Sequence, residues 1–206
     1  MIVKESEEAQ RLAADLIARG GVLAFRTDTF YGLGADPFNR EALQYINELK
    51  GRDGKPILVV ISDSSEAERF IAHESKLFEA VRKRHWPGAL TIVVKARADV
   101  PEELTAASGT VGLRLPDDEK VRSFVRSTGG ALTATSANLA GRPPARTAEE
   151  VASSFPTGLD LIIDGGAARS DKPSTVLDLS GAHVRLIREG VISRRELEAT
   201  LPELGL

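Results

Sequence analysis

The chain has 206 residues, 27 Lys and Arg against 30 Asp and Glu for a formal charge of -3, 42% apolar residues and no cysteine. That length and apolar content suit one substantial domain, and the absence of cysteine excludes disulfides, thiolate metal sites and a cysteine nucleophile. The charge excludes a global field that would draw the chain onto nucleic acid or membrane, so any anion site must be a local cluster.

The acidic start "MIVKESEEAQ" lacks the regions of a signal peptide. No apolar run approaches the ~20 residues needed to span a bilayer, so the chain reads as soluble and cytoplasmic. Ala9, Leu12 and Leu16 repeat at helical spacing and predict a helix over 5–19, stopped by Gly20-Gly21. "VLAF" at 22–25 reads as a short buried strand that empties into the polar, glycine-bearing loop "RTDTFYGLGADP". Asn39 then N-caps a helix to about Leu49, with Leu43 and Ile46 inward. "ILVVI" at 57–61 is a continuous apolar strand, typical of a sheet covered on both faces.

Helical stretches over about 64–72 and 75–85 precede the strand "ALTIVVKA" and the shorter strand "TVGLRLP". Asp117 is placed to cap a helix to about Ser127, and "ALTAT" is a strand that breaks into "SANLAGRPPAR". Thr147 with Glu150, and Ser193 with Glu196, form capping boxes. Between them lie the strands "LDLIIDGG", "STVLDLS" and "HVRLIREG". Helices and strands alternate early and strands crowd late. This predicts an α/β protein with a single twisted mixed β-sheet, helices packed on it, and one domain over 1–206.

There is no Walker motif, G-x-G-x-x-G or G-x-S-x-G elbow, and the three histidines are scattered, which speaks against zinc. Polar residues do collect at strand ends: Thr27, Asp28 and Thr29; Thr135, Ser136 and Asn138; Ser174 and Thr175. Ligands of open α/β sheets commonly sit outside strand ends, although each such residue alone is also ordinary turn chemistry. In "NELKGRDGKP", Lys50, Arg52 and Lys55 fall at an exposed helix end, where Lys50 and Arg52 can turn toward one phosphate chain. A solvated helix C-terminus accounts for them as well. Arg114 lies in the apolar strand "VGLRL", where its charge needs a carboxylate from the protein or from a ligand. Arg188 poses the same question at a strand end.

Taken together, "TDTFYGLGAD", "LKGR" followed by Lys55-Pro56, "GTVGLRLP", "TSANLAGRP", "IDGG", "STVLDLS" and "IREG" resemble the YrdC family in order and spacing, from about Gly20 to Ile192. The resemblance implies a YrdC-like fold with a ligand cleft at strand ends. It also implies synthesis of L-threonylcarbamoyladenylate from L-threonine, bicarbonate and ATP, with release of pyrophosphate, for threonylcarbamoyladenosine modification of tRNA. The family's Lys-x-Arg and Ser-x-Asn pairs fall on Lys50, Arg52, Ser136 and Asn138, implied to be catalytic and ATP-binding. Thr110 and Arg188 match positions near ATP. Thr29, Arg114 and Ser174 match positions near L-threonine. Mg2+ is implied with the triphosphate. The implied partners are tRNA threonylcarbamoyl-transfer proteins of the TsaD, TsaB and TsaE type.

The chain departs from that pattern at Asp53 and Arg26, where proline is frequent, and at Pro144, where a hydroxyl is frequent. With Leu206 as its last residue, the chain is expected to resemble the short form, without the extra C-terminal domain of the longer Sua branch. Two rival readings stay open. One is a non-catalytic or weakly RNA-binding module carrying "VRKRHW" at 81–86, and the other is a paralogue of the same fold with a different reaction.

Overall fold

The computed structural model describes residues 1–51, 55–200 and 202. In chain order they form β1 (Ile2–Lys4), α1 (Glu7–Ala18), β2 (Leu23–Arg26), β3 (Tyr31–Gly34), α2 (Arg40–Lys50) and β4 (Val59–Ile61). A 3-10 turn (Ser64–Arg69) leads to α3 (Lys76–His85), β5 (Leu90–Lys95), α4 (Glu102–Thr105), β6 (Thr110–Arg114) and α5 (Glu119–Ser127). The last part holds β7 (Ala131–Thr133), β8 (Thr135–Ser136), α6 (Ala148–Ser154), β9 (Leu161–Asp164), β10 (Thr175–Asp178), β11 (Arg185–Arg188) and α7 (Arg194–Thr200).

The strands build a five-stranded sheet, β1-β9-β2-β3-β8, and a six-stranded sheet, β11-β10-β5-β6-β4-β7. Both are mixed: β2 is parallel to β9 and antiparallel to β3, and β6 is parallel to β4 and antiparallel to β5. The α/β class with mixed pairing stands as read from sequence, but the single expected sheet is two. The reason lies in Ala131–Ser136, which reads as one strand. Its first half pairs with β4 and its second half with β3, and the turn between them is at Ala134. The Ala134 N–H donates to Leu58 O at 2.9 Å and the Thr133 N–H to Ala35 O at 3.0 Å, which stitches the sheets together at this corner. A side chain at position 32 would be tight there, since a Cβ on Gly32 would stand 3.3 Å from the Ala134 backbone. Close approach therefore explains why β3 carries the glycine-bearing "YGLG", which sequence reads as loop.

Two apolar clusters flank the sheets. In the smaller, Ala9, Ala13 and Ile17 of α1 meet Phe25, Phe124 and Val125, and the Phe25 and Phe124 rings stack at 5.4 Å. Burying each such ring is worth about 1.5–3 kcal/mol. The larger runs from Tyr31, Leu43 and Ile46 through Val59, Ile92 and Leu113 to Leu177 and Leu197.

Helix ends follow their caps. The Asn39 side chain accepts from Ala42 N, and Gly51 closes α2 in the left-handed region at φ 58. The α5 cap is Asp118 rather than Asp117: Asp118 accepts from Lys120 N at 3.0 Å. Arg26, at 2.8 Å, draws the Asp118 carboxylate inward, whereas Asp117 is exposed. Thr147 accepts from Glu150 N at 3.2 Å, but Glu150 reaches back to Arg146 N at 2.7 Å, one residue before the cap.

Candidate active site

The end of β2 turns tightly through 27–30. Thr27 donates its hydroxyl to Phe30 O at 2.7 Å and accepts from Thr29 N at 3.2 Å, so both threonine side chains are fixed on one side of the turn. They line a cleft with Tyr31, Leu58, Arg114, Ser136, Ser174 and Arg188. Both sheets thus contribute, the first through β2, β3 and β8, the second through β6, β10 and β11.

Arg114 is the buried cation of this wall, only 2% exposed. Its Nη1 donates to Thr29 Oγ1 at 3.0 Å and its Nη2 to Thr27 Oγ1 at 3.3 Å, while Asp28 Oδ1 lies 3.2 Å from Nη2. The carboxylate partner that the strand arginine requires is therefore present in the protein. Burial pushes the Asp28 carboxyl above its ordinary pKa; the Arg114 charge opposes this, and Asp117 and Asp118 add to it. Across the cleft, Ser174 Oγ bonds Thr91 Oγ1 at 2.9 Å and accepts from Arg188 Nη2 at 3.2 Å. Arg188 also donates to Ser174 O at 2.9 and 3.1 Å. Desolvation, and then the like charge of Arg114, lower its pKa.

Lys50 is not the exposed cation that the helix-end pattern suggests. It is 3% exposed, and its Nζ donates to the carbonyls of Ser136 and, at 2.7 Å, Asn138. The Lys50 carbonyl in turn accepts from Ala140 N at 3.1 Å. The end of α2 is thus bonded to the loop after β8 in both directions. In that loop, Asn138 Nδ2 donates to Leu139 O at 3.0 Å and Arg142 O at 2.5 Å, which leaves its buried Oδ1 without a donor among the described residues.

Of the residues singled out in sequence, Thr29, Arg114, Ser136, Ser174 and Arg188 line one cleft. Lys50 and Asn138 are joined behind it. Thr110 stands at the opposite end of β6 from Arg114, roughly 13 Å away at strand rise, where its hydroxyl bonds Ser108 Oγ at 2.8 Å. Arg52 and Asp53 lie outside the described residues. The basic run on α3 is engaged locally. Lys83 bonds Glu79 at 2.6 Å, Arg84 donates to Thr200 O at 2.6 Å, and Arg82 stands 3.6 Å from Glu74.

Sequence reasoning did not assign Thr91, whose hydroxyl seats Ser174. Nor did it assign Arg26, which is buried against Asp118 together with the loop residue Arg169, 3.3 Å from the same oxygen. The only signal for Thr91 was a hydroxyl in an apolar strand. Arg26 had the signal that marks Arg114, a charge at the end of a buried strand.

Two mixed sheets meeting at a cleft, with one guanidinium in its wall, one at its rim and hydroxyls between them, define an α/β protein with a polar, arginine-bearing cleft. The chain belongs to the Sua5/YciO/YrdC family: the family model, described as "Telomere recombination", matches residues 15–190. It is 36% identical over 191 residues to the threonylcarbamoyl-AMP synthase of Bacillus subtilis (strain 168), covering 92% of this chain and 55% of that protein. The protein of the same name from Thiobacillus denitrificans is 38% identical, with 87% of this chain and 96% of that one covered. Among solved structures, Sua5 of P. abyssi complexed with L-threonine superposes with a TM-score of 0.92 at 34% identity, over 98% of this chain and 61% of that one. The chain thus spans little more than half the length of some of these relatives.

Proposed function

We propose that this chain makes L-threonylcarbamoyladenylate. The amine of L-threonine and bicarbonate give a carbamate with loss of water. A carbamate oxygen then attacks the α-phosphorus of ATP, and the bond to the β-phosphate oxygen breaks to release pyrophosphate. Such a reaction needs positioning and charge stabilisation more than a covalent nucleophile. The observation that carries the reading is the convergence of Thr29, Arg114, Ser136, Ser174 and Arg188 on one cleft, in a chain related over most of its length to proteins named for this activity.

In this reading Arg114 takes the threonine carboxylate, with the hydroxyls of Thr29 and Ser174 beside it. Ser136, Arg188 and the donor-less Oδ1 of Asn138 orient the nucleotide, and Thr110 serves its far end. Arg52 is assigned to the phosphates on the strength of the resemblance. Lys50 shares that assignment, but it reaches a phosphate only by giving up a carbonyl of the loop it holds. Among the described residues no group of three or more His, Cys, Asp or Glu is placed to hold a metal ion. In this reading Mg2+ comes with the triphosphate as part of the substrate.

The product is a mixed carbamic–phosphoric anhydride, so a tRNA-acting transferase of the TsaD, TsaB and TsaE type is the partner class this reading requires. None of the helices among the described residues is long and apolar enough to cross a membrane, and the cytoplasm is the setting such partners need. We take residues 1–206 as one catalytic domain. The test is pyrophosphate release by the purified chain. Release must require both L-threonine and bicarbonate, and release independent of either one overturns the assignment.

A further inference from the structure

Asp28 is a residue of the cleft region that the proposed reaction leaves without a task. It stands between Thr27 and Thr29, the two hydroxyls that accept from Arg114. Unlike them it does not line the cleft, and it is 7% exposed. Its Oδ1 lies 3.2 Å from Arg114 Nη2, yet neither carboxylate oxygen has a hydrogen-bond donor among the described residues. A carboxylate removed from water is costly unless charge compensates it, and the cation acting on this one is Arg114. A carboxylate in that position adds little to a core that apolar residues would fill as well. Its value lies in what it does to the arginine.

We propose that Asp28 is a positioning residue for the amino-acid ligand. From behind the wall it holds the Arg114 guanidinium in register with Thr27 and Thr29, so that the remaining N–H groups are fixed before the ligand arrives. The Arg114 Nε has no acceptor among the described residues, which leaves donor capacity for an incoming carboxylate. Asp28 also sets the charge of the site. Among the described residues, Arg188 at the rim bonds to neutral groups of Ser174. Of the described residues that line the cleft, Arg114 and Arg188 are the charged ones, and Asp28 offsets the first of them from behind, a balance that suits a singly charged carboxylate. Without Asp28, Arg114 is free to swing toward solvent or toward a phosphate, and the site loses its preference for the amino acid.

This inference rests on the reading that Arg114 takes the threonine carboxylate, and the test separates the two. Asp28→Asn keeps the shape and removes the charge. Affinities for L-threonine and for ATP are measured by calorimetry on the parent, Asp28→Asn, Arg114→Lys and the double variant. Asp28→Asn is expected to weaken L-threonine on the order of tenfold, leave ATP within about twofold, and add nothing once Arg114 is already lysine, as a coupled pair requires. A purely structural role would lower stability without that selective, non-additive loss. Unchanged L-threonine affinity in Asp28→Asn, or an equal loss in the Arg114→Lys background, overturns the proposal, and the Arg114 assignment then stands on the Arg114→Lys result alone. Parent-like L-threonine binding by Arg114→Lys overturns both. If Asp28→Asn does not fold, Asp28→Glu carries the same comparison, because it keeps the charge but shifts it by one methylene.

Discussion

Lys50 donates its ammonium to the Asn138 carbonyl at 2.7 Å and to that of Ser136, and so ties the end of α2 to the loop after β8. Two motifs nearly ninety positions apart are one mechanical unit. Lys50→Ala removes the donor to the Asn138 carbonyl, while the Ser136 carbonyl keeps the Asn138 N–H at 2.9 Å, at a cost of ~1–3 kcal/mol. For a chain of this size that is a fall in Tm of roughly 2–10 °C. Activity should fall with it, because the loop carrying Ser136 loosens. Melting followed by fluorescence, beside pyrophosphate release, checks both. A Tm within a degree of the parent would mean that Lys50 is not structural in solution.

Ser136→Ala isolates binding from folding. Ser136 lines the cleft, and its hydroxyl makes no hydrogen bond among the described residues. Stability should stay within about 0.5 kcal/mol. ATP affinity should drop about fivefold, the ~1 kcal/mol of one hydrogen bond. Calorimetric titration with ATP decides it, and equal affinities would return Ser136 to ordinary turn chemistry.

What could be read in the sequence was what is local. The ends of α2 were legible because Asn39 and Gly51 act within a turn of where they stand. The hydroxyl-bearing strand ends pointed to the cleft because a strand must end where its apolar run ends. The burial of Lys50 was not legible: a helix end looks the same whether it faces water or, as here, carbonyls 88 positions away. The split into two sheets turns on Ala134, a residue with no turn chemistry of its own. It is visible only in the pairing of its neighbours with different strands. The protein partner of Arg114 was likewise a matter of tertiary contact. Sequence demanded a carboxylate and could not choose between Asp28 and a ligand.

Arg26 gives a test of the departure from the family pattern at that position. It is buried beside Asp118, with an Nη2 to Oδ2 distance of 2.8 Å. Arg26→Ala removes the nearer cation from the buried Asp118 carboxylate, which keeps Arg169 at 3.3 Å and the Lys120 N–H, and is expected to cost ~1.5–3 kcal/mol, a clear loss in urea midpoint. The double variant Arg26→Ala with Asp118→Asn should recover part of that loss, because the buried carboxylate that has lost its nearer cation is gone. If the double variant is no more stable than Arg26→Ala alone, the pair is not what holds this corner.

The same pair fixes the sign of the acid response. Burial raises the Asp118 pKa, but the hydrogen bond and charge of Arg26, with Arg169 behind them, outweigh it and hold the group below its ordinary value. A carboxyl whose folded pKa lies below the unfolded value of ~3.9 stabilises fully above that value and loses its contribution as pH falls through the folded one. Asp28 has the opposite sign. Its pKa is raised, so its protonation favours the folded state, and its share of stability is lost as pH rises from the unfolded pKa through the folded one. Unfolding free energies from urea titrations between pH 7 and pH 2.5 should therefore fall more gently toward acid in Asp118→Asn than in the parent. In Asp28→Asn they should fall more steeply, since the term that opposes acid unfolding is gone. Parallel curves for all three proteins would show that neither carboxyl is perturbed in the way its surroundings require.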